Sequence, residues 1–331
     1  MHYIPFGQTS LQVSRLCLGT MSMGSSAWKS WVLDEADSIP LLRRALDLGI
    51  TFFDMADWYS LGRNEEVVGR NLLKMSSRDR LVLATKVFYP MSDDPEDRGL
   101  SRKHIARSID RSLTRMGTDY VDLYVVHAFD ESTPVEESME ALHDTVRAGK
   151  VRYLGASTMY TWQFAKMNHA AVLNGWTPFV NMQCQYNVLY REEEREMFPY
   201  CRDQGVAVTT FSPLARGFLA RSAGTARTAH DVYQEFYGDE IDQEIARRVR
   251  DLAGRRGVTA AHVAISWLVG NRNFNIPIVG AAKTTHIDVA VEALDLRLDE
   301  SERAFLEAPY RPRDEINDQN PVRRPRALHR D

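Results

Sequence analysis

Short apolar runs and longer amphipathic segments alternate eight times between Leu16 and Ala293. The apolar runs read LCLGT, FFD, LVLATK, VDLYVVH, VRYLGAS, FVNMQC, VAVTTF and IPIVG. The amphipathic segments lie at 35–48, 64–73, 101–116, 135–148, 161–174, 193–203 and 285–293, and a long insertion with a helix follows VAVTTF. Runs that are hydrophobic on both faces are typical of parallel strands covered by helices. Eight such repeats predict a closed barrel.

The competing architecture for an alternating chain is an open, doubly wound sheet that binds a dinucleotide. That sheet carries the motif G-x-G-x-x-G after its first strand, and this chain contains no G-x-G. With 331 residues, 44% of them hydrophobic, the chain can also bury one large core. We therefore predict a (β/α)8 TIM barrel that binds any cofactor by other means.

Three segments fall outside the repeat. Two short strands around the Gly7-Gln8 turn, within 3–13, are too short for a buried parallel sheet and predict a hairpin that caps the barrel floor. Residues 221–239 interrupt the alternation after the seventh strand and are expected to form a loop that acts as a lid over the cofactor. Residues 1–308 are predicted to form the barrel and 309–331 a surface-draped or partly ordered tail, because the tail has little apolar content.

Four polar residues lie at or just past the ends of three neighbouring predicted strands. FFD ends on Asp54, LVLATK ends on Lys86 and VDLYVVH ends on His127, while Tyr59 follows Asp54 by five residues. In an α/β barrel the active site is built at the carboxyl ends of the strands. A buried carboxylate is costly unless it is paired, so Asp54 is expected to pair with Lys86.

These side chains are suited to donating a proton to a carbonyl oxygen. Tyrosine has an ordinary pKa of about 10 and therefore keeps its proton at neutral pH. A neighbouring ammonium stabilises the phenolate and lowers the pKa of the tyrosine. We assign Tyr59 as the acid and Lys86 as the group that lowers its pKa. Asp54 would keep Lys86 charged, and His127 would orient or donate to the substrate oxygen.

The stretches DMADWY, ATK and DLYVVH, in this order and at this separation, resemble the aldo-keto reductase family. The resemblance runs from about residue 3 to residue 306 and points to the branch of bacterial aryl-alcohol-dehydrogenase-like proteins and potassium-channel β subunits. The family's catalytic Asp, Tyr, Lys and His fall on the four residues named above. Where the family usually has Gly after its tyrosine, this chain has Ser60-Leu61-Gly62, which predicts a reshaped loop. The resemblance implies a small-molecule carbonyl substrate and NADP(H) as the cofactor.

The resemblance also implies positions for the nicotinamide half of the cofactor. Gly19, Thr20 and Met21 would border the ribose, together with Asp54. Ser157, Thr158 and Gln183 would hold the carboxamide, although the family usually has Ser-Asn at 157–158. Phe211 would stack on the ring, since stacking needs only an aromatic face.

The phosphate groups have two implied positions. The segment FSPLARGFL resembles the loop that covers the pyrophosphate, with Ser212, Leu214 and Gly217 as candidates; Arg216 either pairs with phosphate or is solvated. Gly280 ends the last strand, and the next helix favours anions at its amino terminus. Lys283 and His286 match positions that hold the 2′-phosphate in related sequences, which implies NADPH over NADH.

The loops at the predicted active-site face are rich in aromatic residues. The candidates for the substrate pocket are Trp28, Trp31, Trp58, Phe88 and Phe129, and Tyr89 follows Phe88 in the same loop. If the loops converge, these side chains form a flat apolar pocket suited to aromatic or cyclic carbonyl compounds. The alternative is that half of these aromatic side chains have only a structural role and pack the loops against the barrel.

Charge and cysteine usage narrow the class of protein further. The formal net charge of −4 gives no basic stripe for nucleic acid, and no apolar run approaches the about 18 residues of a membrane span. Three cysteines without C-x-x-C spacing indicate a reducing cytoplasm rather than a disulfide framework. Neither H-E-x-x-H nor clustered carboxylates indicate a metal. Nothing in the sequence indicates the oligomeric state.

Two other functions are compatible with the same residues. An NADPH-binding regulatory subunit, as in the potassium-channel β subunits, would keep the four residues and show little turnover. A barrel lyase or isomerase would use Lys86 as a Schiff-base amine, but Asp54 disfavours this because it keeps the lysine protonated. The reductase hypothesis leads, with reduction of an aldehyde or ketone to the alcohol.

Overall fold

The computed structural model of the chain describes residues 1–220, 236–270 and 275–314. The described strands are β1 (Tyr3–Pro5), β2 (Gln12–Ser14), β3 (Cys17–Gly19), β4 (Phe52–Asp54), β5 (Val82–Val87), β6 (Val121–Val126), β7 (Val151–Ser157), β8 (Phe179–Gln185), β9 (Ala207–Phe211) and β10 (Ile276–Gly280). Strands β3 to β10 are all parallel to their neighbours and close into a barrel in the order β10-β3-β4-β5-β6-β7-β8-β9. The predicted TIM barrel is confirmed.

Helices surround this barrel. The described helices are α1 (Glu35–Asp47), α2 (Arg63–Met75), α3 (Arg102–Met116), α4 (Val135–Arg147), α5 (Thr161–Asn174), α6 (Met197–Asp203), α7 (Glu240–Arg256), α8 (Ala260–Val269), α9 (Thr284–Glu292) and α10 (Glu300–Glu307). The sequence pattern predicts one helix after β9, but two helices, α7 and α8, follow that strand. Helix α10 comes after the last repeat and was not predicted. No helix of the described residues is long and apolar enough to cross a membrane.

Helix α3 shows how the sequence sets the bounds of an outer helix. Ser101 is its N-cap, and the Ser101 hydroxyl accepts a hydrogen bond from the His104 amide (3.3 Å). Gly117 follows the last turn with a φ of +75°, a conformation that costs glycine little. Ile105, Ile109 and Met116 are buried against the barrel, as their helical spacing predicts.

The hairpin of β1 and β2 closes one end of the barrel. Its strands pair antiparallel, with Tyr3 opposite Ser14, and Phe6 in the turn is fully buried. The Phe6 ring packs edge-on against Phe52 at a centroid distance of 5.8 Å. Phe6 joins the side chains that fill the barrel interior, Val82, Ala84, Leu123, Val125, Ala207, Ile276 and Ile278. The predicted cap on the barrel floor is confirmed.

Residues 309–314, the beginning of the predicted tail, contact the barrel. The Tyr310 hydroxyl bonds Glu192 (2.5 Å), and Arg313 Nη1 donates to Asp242 Oδ1 at the start of α7 (2.9 Å). Arg313 also donates to the carbonyl oxygens of Leu189 and Phe236. Residues 315–331 lie outside the described residues, as do residues 221–235 of the predicted lid.

Candidate active site

The four candidate catalytic residues lie at one end of the barrel. Asp54 is the last residue of β4, Lys86 lies near the end of β5 and His127 follows β6 directly. Tyr59 begins the short turn that joins β4 to α2. Strand pairing places Gly19 beside Asp54 and Gly280 beside Gly19. The structure therefore brings these positions together, as the sequence predicts.

Lys86 is the centre of the hydrogen bonding at this site. Its side chain is fully buried, and Nζ donates to Asp54 Oδ2 (2.7 Å), to the Met55 carbonyl (2.8 Å) and to the Tyr59 hydroxyl (3.2 Å). The other Asp54 oxygen, Oδ1, accepts from Gln183 Nε2 (2.9 Å). The ammonium and the carboxylate are thus both satisfied inside the protein, which a buried ion pair requires.

Charge at Lys86 is stabilised by its neighbours. Burial lowers the pKa of Lys86, but the Asp54 carboxylate and Tyr59 outweigh burial, and the net shift is upward. The amine therefore stays protonated at neutral pH. A protonated amine is not a nucleophile, so the arrangement disfavours a Schiff-base role for this lysine.

Tyr59, the candidate acid, has a raised pKa. Burial raises its pKa above the ordinary range, and the Lys86 ammonium offsets part of that rise. The effect expected of Lys86 has the predicted direction, but burial is larger, so the net shift is opposite to the predicted one. Tyr59 therefore keeps its proton at neutral pH and above.

His127 is held as a neutral imidazole. Its amide donates to the Val87 carbonyl (3.0 Å), and its ring packs edge-on against Tyr59 at a centroid distance of 5.8 Å. Burial and the Lys86 charge lower the pKa of His127 well below its ordinary value. Among the described residues, Nδ1 of His127 has no hydrogen-bond partner. A neutral ring in this position has one N–H to donate to a substrate oxygen.

The residues expected near the nicotinamide lie on adjacent strands. Ser157 pairs in register with Gln183 across β7 and β8, and the Ser157 and Thr158 hydroxyls are 3.2 Å apart. The Thr20 hydroxyl donates to the Asp54 carbonyl (2.8 Å). Met21 follows in the turn after β3, and Phe211 is the half-buried last residue of β9.

Asn64 was missed by the sequence analysis. Its side-chain amide donates to the carbonyls of Thr20 (2.7 Å) and Met23 (2.8 Å), so it fixes the turn after β3 from the start of α2. Polar residues are common in a first helical turn, and nothing in the sequence set this one apart.

The loop after β9 has an unusual backbone. Ser212, Ala215, Arg216 and Gly217 all have positive φ angles, and the Gly217 amide donates to the Leu214 carbonyl (2.9 Å). The Arg216 charge lowers the pKa of both Tyr59 and Tyr237, although burial raises each overall. Arg216 is therefore within electrostatic range of the candidate acid.

The residues expected to read the 2′-phosphate lie at the start of α9. Lys283 is the exposed N-cap residue and makes no side-chain cap. The His286 ring accepts a bond from the Ala282 amide through Nδ1 (3.3 Å). Burial and Lys283 lower the pKa of His286. An uncapped helix start beside a lysine is a favourable place for an anion.

A row of aromatic rings leads to His127. Trp28 packs against Trp31 (6.5 Å between centroids) and edge-on against Trp58 (5.2 Å). Trp58 contacts Tyr89 (5.1 Å), which contacts His127 (4.8 Å).

Two candidate pocket residues have other contacts. Phe88 packs on Tyr89, and Phe129 is buried beside Trp162. Tyr89, which follows Phe88 in the same loop, connects the row to His127.

Fold and site together give a TIM barrel with a tyrosine beside a buried Lys–Asp pair at the carboxyl ends of its strands. Comparison with known proteins identifies the family. Residues 15–310 match the Aldo/keto reductase family, and the chain belongs to this family. Its members act on small carbonyl substrates and generally use NAD(P)H.

Several fungal relatives cover almost the whole chain. Versiconal hemiacetal acetate reductase of Aspergillus parasiticus is 40% identical over 95% of this chain and 98% of its own length. Aldo-keto reductase AMT2 of Alternaria alternata is 40% identical over 93% of this chain and 91% of its own. A Schizosaccharomyces pombe protein, named provisionally as an aryl-alcohol dehydrogenase, is 40% identical over 92% of this chain and 95% of its own.

Proposed function

We propose that the protein is an NADPH-dependent reductase that converts an aldehyde or ketone to the alcohol, with Tyr59 as the proton donor. The contact between Lys86 Nζ and the Tyr59 hydroxyl carries this proposal, because it joins the acid to the cation that stabilises its phenolate. Carbonyl reduction needs a proton at oxygen when hydride arrives at carbon, and NADPH supplies the hydride when bound.

Each residue of the site has a distinct part in this reaction. Tyr59 gives its proton to the carbonyl oxygen, and Lys86 stabilises the phenolate that remains. Asp54 keeps Lys86 charged and in place through the 2.7 Å bond. His127, as a neutral imidazole, donates to the same carbonyl oxygen and orients it.

The residues present fit a nicotinamide dinucleotide phosphate. Thr158 and Ser157 offer hydroxyls beside Gln183, and Phe211 offers an aromatic face. Lys283 gives a positive charge at the open amino terminus of α9, which supports NADPH over NADH. Arg216 and the backbone amides of its loop would bind the pyrophosphate.

The aromatic row supports an aromatic or cyclic carbonyl compound as the substrate. Trp58 and Tyr89 lie between the outer tryptophans and His127, so a flat ring entering along them would bring its carbonyl to the acid. All three cysteines are free and buried, which fits a cytoplasmic location.

The test is the oxidation of NADPH against a panel of aliphatic, aromatic and cyclic aldehydes and ketones, repeated with NADH. Wild type and Tyr59→Phe are run side by side, with NADPH affinity measured for both. We expect turnover with NADPH that is lost in the variant while NADPH affinity is kept. Tight NADPH binding without turnover on every substrate would contradict the reductase proposal and would be the result expected of a regulatory subunit.

A further inference from the structure

A second polar cluster lies beneath the turn that carries Tyr59. Its carboxylates are Asp57 and Glu65, both with no exposed surface. Thr85 Oγ1 donates to Glu65 Oε1 (2.5 Å), and Arg115 Nε donates to Glu65 Oε2 (2.7 Å). Asp57 Oδ2 accepts from Ser108 Oγ (2.9 Å). None of these groups belongs to the site described above.

The charges of this cluster do not balance if both carboxylates are ionised. Arg115 approaches Glu65 with two nitrogens, at 2.7 and 2.6 Å. Among the described residues, Asp57 forms no ion pair and bonds only neutral donors. A buried carboxylate without a cation, close to a second carboxylate, favours its protonated form. Burial, and then Glu65, raise the pKa of Asp57 to about 8.

Asp57 connects the catalytic turn to two other elements. Its Oδ1 accepts from the Trp58 amide (2.6 Å), and its own amide donates to the Lys86 carbonyl (3.4 Å). Its second oxygen bonds Ser108 on α3. The residue just before Trp58 and Tyr59 is therefore fixed to the strand of the catalytic lysine and to an outer helix.

The turn itself needs such anchoring. Ser60 and Leu61 have φ angles of 50° and 49°, and Gly62 has a φ of 91°. Left-handed conformations are unfavourable for non-glycine residues and persist only when the surroundings enforce them. Arg115 lies under Gly62, where an added Cβ would be 2.7 Å from Arg115 Cδ. The cluster thus holds both ends of the turn.

We propose that Asp57 is a positioning residue for carbonyl reduction: as a neutral carboxylic acid, it anchors the 57–62 turn and thereby holds the Tyr59 hydroxyl at Lys86. The inference rests on the proposed function of Tyr59 as the acid. In the neutral acid the proton lies on Oδ2 and is donated to Ser108 Oγ, which reverses the direction of that bond. Asparagine has the same shape and the same bonds, since its oxygen can accept from the Trp58 amide and its amide can donate to Ser108 Oγ. Alanine provides neither bond.

The kinetic test compares Asp57→Ala with Asp57→Asn, each also combined with Tyr59→Phe. For Asp57→Ala we expect kcat to fall by about tenfold or more, the scale on which a misplaced group slows chemistry. Its KM and NADPH affinity should change less than about threefold. Asp57→Asn should restore most of kcat. With Tyr59→Phe present, Asp57→Ala should cause no further loss, because Asp57 acts through the Tyr59 hydroxyl.

The outcomes separate the two proposals. Full activity in Tyr59→Phe would overturn the proposed function itself. Loss of activity in Tyr59→Phe with unchanged kcat in Asp57→Ala would overturn the positioning role alone. If Asp57→Ala does not fold, Ser108→Ala removes one of the bonds and keeps the carboxyl group. A smaller drop in kcat is expected there, and an unchanged kcat would again overturn the positioning role.

The protonation of Asp57 has its own test. The groups that face Asp57 are Glu65 from α2, Arg115 from α3 and Tyr124 from β6. Burial first, and the Asp57 carboxyl second, raise the pKa of Tyr124 well above its ordinary value. An acid whose pKa is higher in the folded state than in the unfolded chain stabilises the fold most at low pH. That stability is lost as the pH rises from about 4 to about 8.

Unfolding of the wild type and Asp57→Asn is therefore compared from mildly acidic to mildly alkaline pH. We expect the wild type to lose stability relative to Asp57→Asn as the pH rises toward about 8. Asp122→Asn is the matched control, because the Asp122 carboxylate is paired with Arg78 at 2.7 Å. Removing this ion pair should lower the stability of the fold. Parallel curves for the wild type and Asp57→Asn would overturn the neutral state of Asp57.

Discussion

The side of the site that we propose to donate the proton and the side that we propose to face the 2′-phosphate are built in opposite ways. On the first side, Asp54, Lys86 and Tyr59 are buried and bonded to one another without a ligand. On the second side, Lys283 and His286 are both exposed at the start of α9. A buried charge is costly unless it is paired within the folded protein, whereas an exposed charge is solvated by water until a ligand binds. The proposed catalytic group is thus assembled with the fold, and the proposed determinant of cofactor selectivity lies at the surface.

The largest expected effect comes from removing the buried cation. Lys86→Met leaves the Asp54 carboxylate buried and unpaired, and breaking such a pair typically costs about 3–5 kcal/mol of unfolding free energy. Lys283→Met removes the same charge from the exposed side and should change stability little. Denaturant unfolding of both variants measures the contrast. A similar loss of unfolding free energy in the two variants would contradict the contrast between a buried and an exposed side.

Next in size is the effect of the Tyr59 hydroxyl on chemistry. Tyr59→Phe should lower the rate of the chemical step by about a hundredfold or more, the scale of general acid catalysis. NADPH affinity should stay within a few fold, because the variant removes one hydroxyl from the proton-donating side. Single-turnover kinetics and cofactor titration provide the two measurements. Retained activity would remove Tyr59 from its assigned role.

Lys283 tests the exposed side. Lys283→Ala should weaken NADPH binding by about tenfold or more, since hydrogen bonds to charged groups contribute about 1.5–3 kcal/mol. NADH lacks the 2′-phosphate, so its affinity should hardly change. The NADPH affinity of the wild type should also fall with added salt more than that of the variant. Equal weakening of both cofactors would mean that Lys283 does not read the 2′-phosphate.

The smallest expected effect concerns the strain beside Tyr59. Leu61 is 54% exposed and left-handed, so Leu61→Gly should relieve strain and raise the unfolding free energy by about 0.5–1 kcal/mol. Leu61→Ala removes most of the same side chain and keeps the strained backbone, and it serves as the control. Thermal unfolding of the two variants compares them. A gain in Leu61→Ala equal to that in Leu61→Gly would show that the backbone stores no strain there.

The barrel and the positions of its polar residues could be predicted because both follow local rules. Hydrophobic runs mark buried strands, and parallel strands bring their carboxyl ends to one edge. Asp54, Lys86 and His127 end up together for that reason alone. The pairing of Lys86 with Asp54 also follows, because a buried charge needs a partner.

Other features depend on contacts between distant segments and left no local pattern. Asp57 reads in the sequence as one more acidic loop residue, and only folding places Glu65 and Ser108 against it. The net rise of the Tyr59 pKa depends on how deeply the ring is buried, which the order of residues does not state. Arg313 lies in the segment predicted to be a surface-draped or partly ordered tail, and no local pattern indicates its contact with Asp242 of α7.

The packing of Phe6 at the floor of the barrel bears on the order in which ligands bind and leave. Because this ring and its apolar neighbours fill the amino-terminal end of the barrel, we expect the ligands of the proposed reductase to enter and leave by the opposite mouth. Two ligands that share one mouth and overlap there would leave in the reverse of their order of entry. Product inhibition should therefore follow an ordered pattern, in which the ligand that enters last is the first to leave.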